Sequence, residues 1–356
     1  MTTPLDIIKP AVRALRAYTL SPHRASVKIN QNENPWDAPA EIKDEVLRQF
    51  AARQWSRYPD FVPASLHEQL AKFAGWKADG VIAGNGSNEL IQALLMVAVG
   101  PAKRVLISEP TFALYKQVAT VLGGEVETVL LTPQLSYDVE ALLRTIKETQ
   151  PDVTIICSPN NPTGCVIETA DLRRLLETAR GLIAIDEAYH EFAQQSVVPL
   201  LNEHENLIVL RTFSKAMAFA ALRVGYLLAS PELVTEIRKA VLPYNLNAFS
   251  QLAAEIALEK YSTLLGPTVQ AIIGERERLY REISKVRGLA AVESKGNFMV
   301  VRADTDPRQI FKRLLERDIL IRDVSGYPML AEYFRFNVGT PAENDRLLRA
   351  LNEIQG

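Results

Sequence analysis

Short apolar runs alternate with helical patterns through the middle of the chain. The strand-like runs are "GVIAG" (80–84), "RVLISEP" (104–110), "VTIICS" (153–158), "GLIAIDEA" (181–188) and "NLIVLRT" (206–212). The helical patterns between them include "NELIQALLMVAV" (88–99), "TFALYKQVATVLG" (111–123) and "TADLRRLLETAR" (169–180). Continuous apolar strands separated by helices are typical of a parallel sheet covered on both faces. The pattern therefore predicts an α/β fold with a mainly parallel sheet.

A different pattern begins near residue 268 with the long, charged amphipathic helix "VQAIIGERERLYREISKV". The strand-like segments "FMVVRA", "ILIRDV" and "YFRFNV" follow, and the helix "ENDRLLRALNEI" closes the chain. The 356 residues also exceed the length at which one hydrophobic core stops growing. We therefore expect an N-terminal arm (1–30), a large domain (31–255) and a smaller α+β C-terminal domain (256–356).

Composition narrows the class of protein. Hydrophobic residues make up 47% of the chain, charged residues 23%, and the net charge is −2, so nothing indicates a nucleic-acid or membrane partner. The first residues are a poor match to a signal peptide, and we expect a cytoplasmic protein. Cys157 and Cys165 fit no zinc pattern, and the four histidines are scattered, so we expect no metal site.

Polar residues follow several of the predicted strands, at the sheet rim where α/β proteins bind ligands. In "GNGSNE" (84–89), Gly86 and Ser87 could form a phosphate-binding helix start, or Ser87 could simply cap the helix. In "SPNNPTG" (158–164), Asn161 could contact a ligand or only form a sharp turn. After the next strand, Asp186 could pair with a cation in the cleft or cap a loop.

The stretch "RTFSKAMAFAALRVGY" (211–226) holds Lys215 and, eight residues later, Arg223, with small and apolar residues between them. A buried cation is costly without a partner, although most lysines are simply solvated at the surface. A lysine at a desolvated rim has a lowered pKa and can attack an aldehyde to form an imine. A straight helix would separate the two Cα atoms by ~12 Å. We therefore expect the chain to curl around a ligand here.

One cofactor, pyridoxal phosphate, needs all of these groups together. Its aldehyde needs a lysine, its ring nitrogen a carboxylate, its phenolic oxygen hydrogen-bond donors, its phosphate a helix start with an arginine, and its ring an apolar wall. The sequence offers, in that order, Lys215; Asp186; Tyr189 with Asn161; Gly86 and Ser87 with Arg223; and Phe112. Each group alone is weak evidence, but their joint appearance at strand ends is specific.

The chain resembles the fold-type I aminotransferases and, within them, the histidinol-phosphate aminotransferases. The resemblance covers nearly the whole chain and rests on "INQNENPW", "SRYPD", "GNGSNELI", "EPTFALY", "CSPNNPTG", "IDEAYHEF", "RTFSKAMAFAALRVGY", "ILIRDVSGYP" and "FRFNVGTPAENDRLL". It implies a pyridoxal-phosphate enzyme that is a homodimer with shared active sites.

The resemblance also implies roles for individual residues. Lys215 would be the lysine that binds the cofactor and moves the substrate proton, with Asp186 at the ring nitrogen, Asn161 and Tyr189 at the phenolic oxygen, and Phe112 on the ring. Gly86, Ser87, Thr212, Ser214 and Arg223 would hold the phosphate, and Tyr58 would reach the phosphate of the neighbouring subunit. Arg335 would grip the carboxylate or phosphate of the substrate.

The comparison with the family bears on four further positions. Arg322 could assist Arg335 or be a solvated residue of an edge strand, and Tyr18 could close over the substrate or merely anchor the arm. Asn32 would shape the loop beside the carboxylate pocket. Asn88 departs from the family, which usually has Asp there, so the field at the phosphate would be slightly more positive.

The implied reaction is a ping-pong transamination in histidine biosynthesis. Glutamate would donate its amino group to imidazole-acetol phosphate, giving L-histidinol phosphate and 2-oxoglutarate. The resemblance leaves two alternatives with the same fold, an aromatic amino-acid aminotransferase and a threonine-phosphate decarboxylase. Some regulators also carry an aminotransferase-like domain, but we expect no DNA-binding motif in the segment before "NQNENP".

Overall fold

The structure is a computed structural model that describes residues 3–15, 17 and 22–356. Its strands are β1 (Val27–Lys28), β2 (Val81–Gly84), β3 (Arg104–Glu109), β4 (Glu125–Leu130), β5 (Val153–Cys157), β6 (Leu182–Asp186), β7 (Leu207–Thr212), β8 (Gly225–Leu228), β9 (Leu289–Ala291), β10 (Phe298–Ala303), β11 (Ile319–Leu320), β12 (Arg322–Asp323) and β13 (Tyr333–Asn337).

The helices alternate with these strands in chain order. They are α1 (Pro10–Ala14), α2 (Ala40–Ala51), α3 (Ala64–Ala74), α4 (Ser87–Ala98), α5 (Leu114–Leu122), α6 (Val139–Thr149), α7 (Thr169–Thr178), α8 (His190–Ala193), α9 (Pro231–Arg238), α10 (Ala248–Glu259), α11 (Gly266–Ile283), α12 (Pro307–Leu315) and α13 (Pro341–Gln355). Short 3₁₀ helices span Pro4–Ile7, Ala78–Gly80 and Val198–Asn202, and a π-helical turn spans Tyr261–Leu265.

The main sheet has seven strands in the order β2-β8-β7-β6-β5-β3-β4. Strands β7, β6, β5, β3 and β4 are parallel, whereas β8 runs antiparallel to both β2 and β7. Hydrophobic cores lie on both faces of the sheet, because β5, β6 and β7 are buried along their whole length apart from Leu182. The prediction of an α/β fold with a mainly parallel sheet is confirmed.

The C-terminal part forms an antiparallel sheet in the order β12-β13-β10-β9. Helices α11, α12 and α13 pack beside it around a separate core that includes Phe298, Phe334 and Leu347. Helix α13 begins at Pro341, where Thr340 and Glu343 form a reciprocal capping box. The prediction of a smaller α+β unit is confirmed at the level of these elements.

The segment before the large sheet is tied to the C-terminal part. Strand β1 pairs in parallel with β11, so that Val27 lies opposite Ile319, and Asn337 donates its backbone N–H to Ile29 O. This pairing brings residues 27–34 between the main sheet and the C-terminal sheet, where they form one wall of a cavity. Within the described part of the chain, no helix is long and apolar enough to span a bilayer.

Candidate active site

A cavity of about 340 Å³ lies at the carboxyl ends of β5, β6 and β7, with the C-terminal sheet above it. This is the position at which parallel α/β sheets bind ligands. Twelve of the residues singled out from the sequence line it: Asn32, Ser87, Phe112, Asn161, Asp186, Tyr189, Thr212, Ser214, Lys215, Arg223, Arg322 and Arg335. Asn88, the departure from the family, lines the same cavity.

Two predicted positions, Gly86 and Tyr58, do not line this cavity. Gly86 is the residue immediately before α4 and adjoins the cavity through Ser87. Tyr58 is 80% exposed and does not line the cavity of its own chain; its ring stacks on Tyr244 with centroids 4.5 Å apart. Tyr18 lies outside the described residues.

Lys215 lies in a turn just after β7, and its Nζ donates to Gln31 O at 3.1 Å. Burial lowers its pKa to about 8, and the positive charge of Arg335 adds to the effect. No helix connects Lys215 to Arg223; instead Ala218 and Arg223 adopt positive φ angles of 59° and 55°. The backbone therefore curls, as predicted, and Arg223 Nη1 returns to within 3.0 Å of Ser214 Oγ.

Asp186 is the last residue of β6 and is almost completely buried. Its Oδ1 accepts from Ala188 N at 3.1 Å and its Oδ2 from the hydroxyl of Tyr115 at 2.6 Å. Burial raises the pKa of Asp186, while these two hydrogen bonds lower it in part. The carboxylate is therefore oriented by two donors at the floor of the cavity.

The turn between β2 and α4 is built for an anion. Gly86 has a φ of 80°, and a Cβ there would collide with the guanidinium of Arg223, so the position favours glycine on two grounds. A Cβ on Gly225 of β8 would collide in the same way with the backbone N of Ser87. Because both side chains are absent, Arg223 lies directly beside the N-terminus of α4, where unpaired N–H groups attract negative charge.

The walls of the cavity between these groups include Tyr189, Asn161 and Phe112. The hydroxyl of Tyr189 accepts from Asn32 Nδ2 at 3.0 Å, so its own proton remains available to a ligand. Burial raises the pKa of Tyr189, which keeps the phenol protonated. Phe112 presents its ring to the cavity and meets Tyr115 edge-on, with centroids 5.6 Å apart.

Arg335 lies on β13 at the far end of the cavity and is only 7% exposed. Its Nη2 donates to Asn30 O at 3.0 Å, its Nη1 donates to Asn161 Oδ1, and its guanidinium lies over the ring of Phe298. Arg322 of the edge strand β12 lies directly opposite Arg335 in the sheet and lines the same cavity. The sheet register therefore places two guanidinium groups at one end.

The residues present fit pyridoxal phosphate. A cationic cradle of Gly86, Ser87 and Arg223 matches a phosphate, and the buried carboxylate of Asp186 matches a protonated ring nitrogen. Lys215, with a pKa of about 8, matches the aldehyde. The phosphate, the ring nitrogen and the aldehyde of the cofactor thus each have a matching group in the cavity, and Phe112 lies at the wall between these groups.

Sequence reasoning missed several residues of this cavity, including Asn30, Gln31, Tyr115, Gln117 and Tyr327. A signal for Tyr115 was available, because it lies three residues after Phe112 at the start of a helix and so faces the same side. Cys157 is buried in β5 and also borders the cavity.

The comparisons with known proteins agree with this geometry. Residues 25–351 match the family model described as aminotransferase class I and II. The chain is 39% identical to the histidinol-phosphate aminotransferase of Chlorobium phaeovibrioides, with 98% of this chain and 97% of that protein covered. It is 40% identical to the protein of the same name from Chlorobium phaeobacteroides, with 97% and 96% covered.

Solved structures give the same result. The histidinol-phosphate aminotransferase of Sinorhizobium meliloti, in complex with pyridoxal-5'-phosphate, is similar with a TM-score of 0.86 and 26% identity, over 97% of this chain and 96% of that one. The enzyme of the same name from Clostridium acetobutylicum has a TM-score of 0.86 and 26% identity, over 92% and 99%. The chain belongs to the class I and II aminotransferases, the pyridoxal-phosphate enzymes that include the histidinol-phosphate aminotransferases.

Proposed function

We propose that the protein is a pyridoxal-phosphate-dependent histidinol-phosphate aminotransferase (EC 2.6.1.9) of histidine biosynthesis. It exchanges an amino group between L-histidinol phosphate and 2-oxoglutarate, giving imidazole-acetol phosphate and L-glutamate. The observation that carries the proposal is a single cavity with a low-pKa lysine at one end and the pair Arg322 and Arg335 at the other. The cytoplasm is its proposed location, where such charged metabolites would be made and used.

The bound cofactor supplies an aldehyde for the amino group and an electron-withdrawing ring that stabilises negative charge at the substrate carbon. Gly86, Ser87, Thr212, Ser214 and Arg223 would hold its phosphate. Asp186 would hold the ring nitrogen in its protonated form. Tyr189 and Asn161 would donate to the phenolic oxygen, and Phe112 would pack on the ring face.

Lys215 has two tasks in this scheme. It would hold the cofactor aldehyde in the resting enzyme, and as a free amine it would take and return a proton at the substrate Cα. Both tasks need the uncharged amine. A pKa of about 8 makes that form far more abundant near neutrality than an ordinary lysine, whose pKa is 10.5, would allow.

Arg335 and Arg322 explain how two unlike substrates can use one pocket. Histidinol phosphate offers a phosphate, whereas glutamate offers carboxylates, and guanidinium groups bind both kinds of anion in a bidentate manner. Arg335 is held by Asn30 O and Asn161, so its orientation is set before a substrate arrives. Asn32 supports the same corner, since its amide bonds the hydroxyl of Tyr189.

Two alternative functions share the fold. An aromatic amino-acid aminotransferase would use the same cavity without an advantage for phosphorylated substrates. The L-threonine-O-3-phosphate decarboxylase of Porphyromonas gingivalis also has a similar structure, but at 21% identity and a TM-score of 0.80 it is evidence for the fold alone. Two guanidinium groups in the pocket and relatives at 39–40% identity favour histidinol phosphate.

A half-reaction assay tests the substrate. Histidinol phosphate, glutamate, phenylalanine and threonine phosphate are added separately to purified holoenzyme, and the visible absorbance of the lysine-bound cofactor and the release of CO₂ are followed. We expect histidinol phosphate and glutamate to remove this absorbance and phenylalanine to act much more slowly. Equal or faster reaction with phenylalanine would assign the aromatic alternative, and release of CO₂ from threonine phosphate would assign the decarboxylase.

The quaternary structure and domain limits are part of the proposal. We propose a homodimer in which Tyr58 contacts the cofactor phosphate of the neighbouring subunit. The supporting observation is an exposed aromatic cluster, hereafter the Tyr58 cluster, formed by Tyr58, Phe61 and Tyr244. The proposed units remain an arm (1–30), a large domain (31–255) and a small domain (256–356); the separate cores of the two sheets support a division into a large and a small unit.

A further inference from the structure

Asp186 accepts a hydrogen bond from a tyrosine to which the proposed function assigns no role. The hydroxyl of Tyr115, on the first turn of α5, donates to Asp186 Oδ2 at 2.6 Å. Tyr115 is completely buried, so water does not compete for its single proton. We propose that Tyr115 is a positioning residue, whose hydrogen bond keeps Asp186 ionised and aimed at the ring nitrogen of the cofactor. The inference rests on the proposed role of Asp186.

Geometry supports a dedicated contact. Asp186 Oδ1 is already bonded to Ala188 N within the same turn, so Tyr115 provides the hydrogen bond that holds the second oxygen. Two fixed donors on two different oxygens set the plane of the carboxylate. A carboxylate held in one plane presents its remaining lone pairs to the cavity without losing rotational entropy when the cofactor binds.

The hydrogen bond from Tyr115 also changes the pKa of Asp186. Burial alone favours the neutral carboxylic acid, and the pKa of Asp186 is raised for that reason. The Tyr115 hydrogen bond is the largest effect that lowers it, ahead of Ala188 N–H and the charge of Lys215. Burial holds the pKa of Tyr115 well above its usual value, so Tyr115 stays a donor throughout the working pH range.

Other titratable groups face this pair. Cys157 of β5, Tyr137 before α6 and Tyr189 after β6 are buried with raised pKa values, and they stay neutral near pH 7. Glu187, the neighbour along the chain, raises the pKa of Asp186, and Lys215 lowers it. Among these groups, Tyr115 alone donates a side-chain hydrogen bond to Asp186 within the described residues.

Helix α5 also couples this contact to the cofactor ring. Phe112, at the wall of the cavity, lies three residues before Tyr115, and the two rings meet at 87°. The segment from Phe112 to Tyr115 therefore provides both the wall that would face the cofactor ring and the hydroxyl that donates to Asp186. Loss of the hydroxyl alone should leave the wall intact, since phenylalanine keeps the same ring.

The test is the Tyr115→Phe variant, compared with Tyr137→Phe as a matched control. Tyr137 is also a buried tyrosine at this end of the sheet, but its hydroxyl donates to a neutral acceptor, the backbone carbonyl of Cys157. In full-length apoenzyme, infrared difference spectra across a pH series report the protonation of buried carboxyl groups. The signal of Asp186 is identified by its loss in Asp186→Asn.

We expect Tyr115→Phe to raise the proton affinity of Asp186 about tenfold, which is one pKa unit, and Tyr137→Phe to leave it unchanged. In the holoenzyme, Tyr115→Phe should lower kcat while KM for histidinol phosphate stays near wild type, because Tyr115 acts through Asp186. In the Asp186→Asn background, Tyr115→Phe should have no further effect on kcat.

The outcomes separate the inference from the function on which it rests. Unchanged titration of Asp186 in Tyr115→Phe, or an equal shift in Tyr137→Phe, would overturn the positioning role. If Asp186→Asn impairs cofactor binding while Tyr115→Phe titrates like wild type, only the inference is wrong. If Asp186→Asn binds the cofactor and turns over like wild type, the proposed role of Asp186 and the inference are wrong together.

Discussion

At the scale of single residues, Lys215 makes a prediction about pH. Its pKa is lowered to about 8, first by burial and then by Arg335. Only the uncharged amine attacks an aldehyde, so the rate at which apoenzyme combines with pyridoxal phosphate should rise with pH and level off above pH 8. Stopped-flow absorbance over a pH series measures this. A midpoint near 10.5, the ordinary value, would contradict the buried environment.

The same shift has a consequence for stability with a definite sign. Between pH 8 and 10.5 the unfolded chain keeps a proton on Lys215 that the folded apoenzyme has released. Burial of the cation therefore destabilises the fold below pH 8, and this cost disappears as the pH rises toward 10.5. Lys215→Met should accordingly raise the melting temperature of apoenzyme at pH 7 more than at pH 10, a useful control for the kinetic midpoint.

Arg335 makes a prediction about substrate binding. Replacing it with Gln removes charge-assisted hydrogen bonds to a carboxylate or phosphate, each of which contributes about 1.5–3 kcal/mol. We expect kcat/KM for histidinol phosphate to fall by about 10- to 100-fold, with the visible spectrum of the bound cofactor unchanged. Arg302→Gln is the matched control, because Arg302 lies on the adjacent strand β10 but is exposed and pairs only with Asp304.

Arg322 needs the same measurement. Wild-type kcat/KM in Arg322→Gln would make it a residue of the edge strand without a role, and wild-type values in Arg335→Gln would contradict the substrate assignment.

At the scale of secondary-structure elements, an ion-pair network sits behind the active site. Arg211 of β7 bonds Glu187 at 2.9 Å, Ser196 at 2.6 Å and Tyr226 of β8 at 3.3 Å. Both charged side chains are nearly inaccessible to solvent. Each partner lies next to a residue that lines the cavity or packs against it: Glu187 beside Asp186, Arg211 beside Thr212, Tyr226 beside Gly225. The network therefore fixes the ends of three strands at once.

Breaking this network should be costly. Arg211→Met leaves the carboxylate of Glu187 buried and uncompensated, and we expect the free energy of unfolding to fall by about 3–5 kcal/mol. Lys239→Met is the control, because the Lys239–Glu236 pair is exposed and its loss should cost less than about 1 kcal/mol. Urea denaturation of both variants measures the difference. Equal losses would show that the buried pair has no special part in holding the strand ends.

The elements also show what sequence patterns can and cannot specify. The apolar runs interpreted as strands of the main sheet are all strands, because a buried strand of such a sheet needs apolar side chains on both faces. The antiparallel course of β8 was not predicted: four buried residues, Gly225–Leu228, look the same in either direction, and their pairing with β2 and β7 depends on distant residues. The "ILIRDV" run was predicted as one strand but is divided into β11 and β12, which join different sheets.

Within the site, local motifs identified the residues at strand ends, and non-local contacts decided the rest. Lys215, Asp186 and Arg223 each follow a recognisable strand or turn. Asn30 and Tyr115 enter the cavity because β1 pairs with β11 and because the hydroxyl of Tyr115 reaches Asp186 at the end of β6, and neither fact is visible in a single segment. A one-residue change of register between β12 and β13 would separate Arg322 from Arg335, so that pairing also had to come from the structure.

At the scale of the whole molecule, the Tyr58 cluster is an aromatic surface that is exposed to solvent in the isolated chain. Tyr58 is 80% and Phe61 63% exposed, although large aromatic residues contribute most when they are buried. Tyr244, which stacks on Tyr58, is neighboured by Asn245, whose amide bonds Glu89 at the start of α4. A second copy of the chain that covered the Tyr58 cluster would therefore also contact the loop next to the phosphate-binding turn of the first copy.

Shared active sites make a prediction that no monomer can satisfy. Lys215→Ala should abolish turnover, and Tyr58→Ala should lower it by weakening the hold on the partner's cofactor phosphate. In a hybrid dimer, the chain with Tyr58→Ala keeps Lys215 and receives an intact Tyr58 from its partner, so one complete site is restored. Equal mixing after dissociation and reassociation should return about one quarter of wild-type activity, since half of the dimers are hybrids with one complete site.

Two controls decide the result. The two variants mixed without dissociation should show no more activity than the sum of their separate values. Wild type mixed with Lys215→Ala should give half the wild-type rate whether or not sites are shared, which calibrates the recovery of active enzyme after the dissociation step. If recovery is normal and the mixture of Lys215→Ala and Tyr58→Ala shows no gain in activity, Tyr58 does not act in the partner's site. Because Tyr58 does not line the cavity of its own chain either, its proposed role at the phosphate would then be wrong.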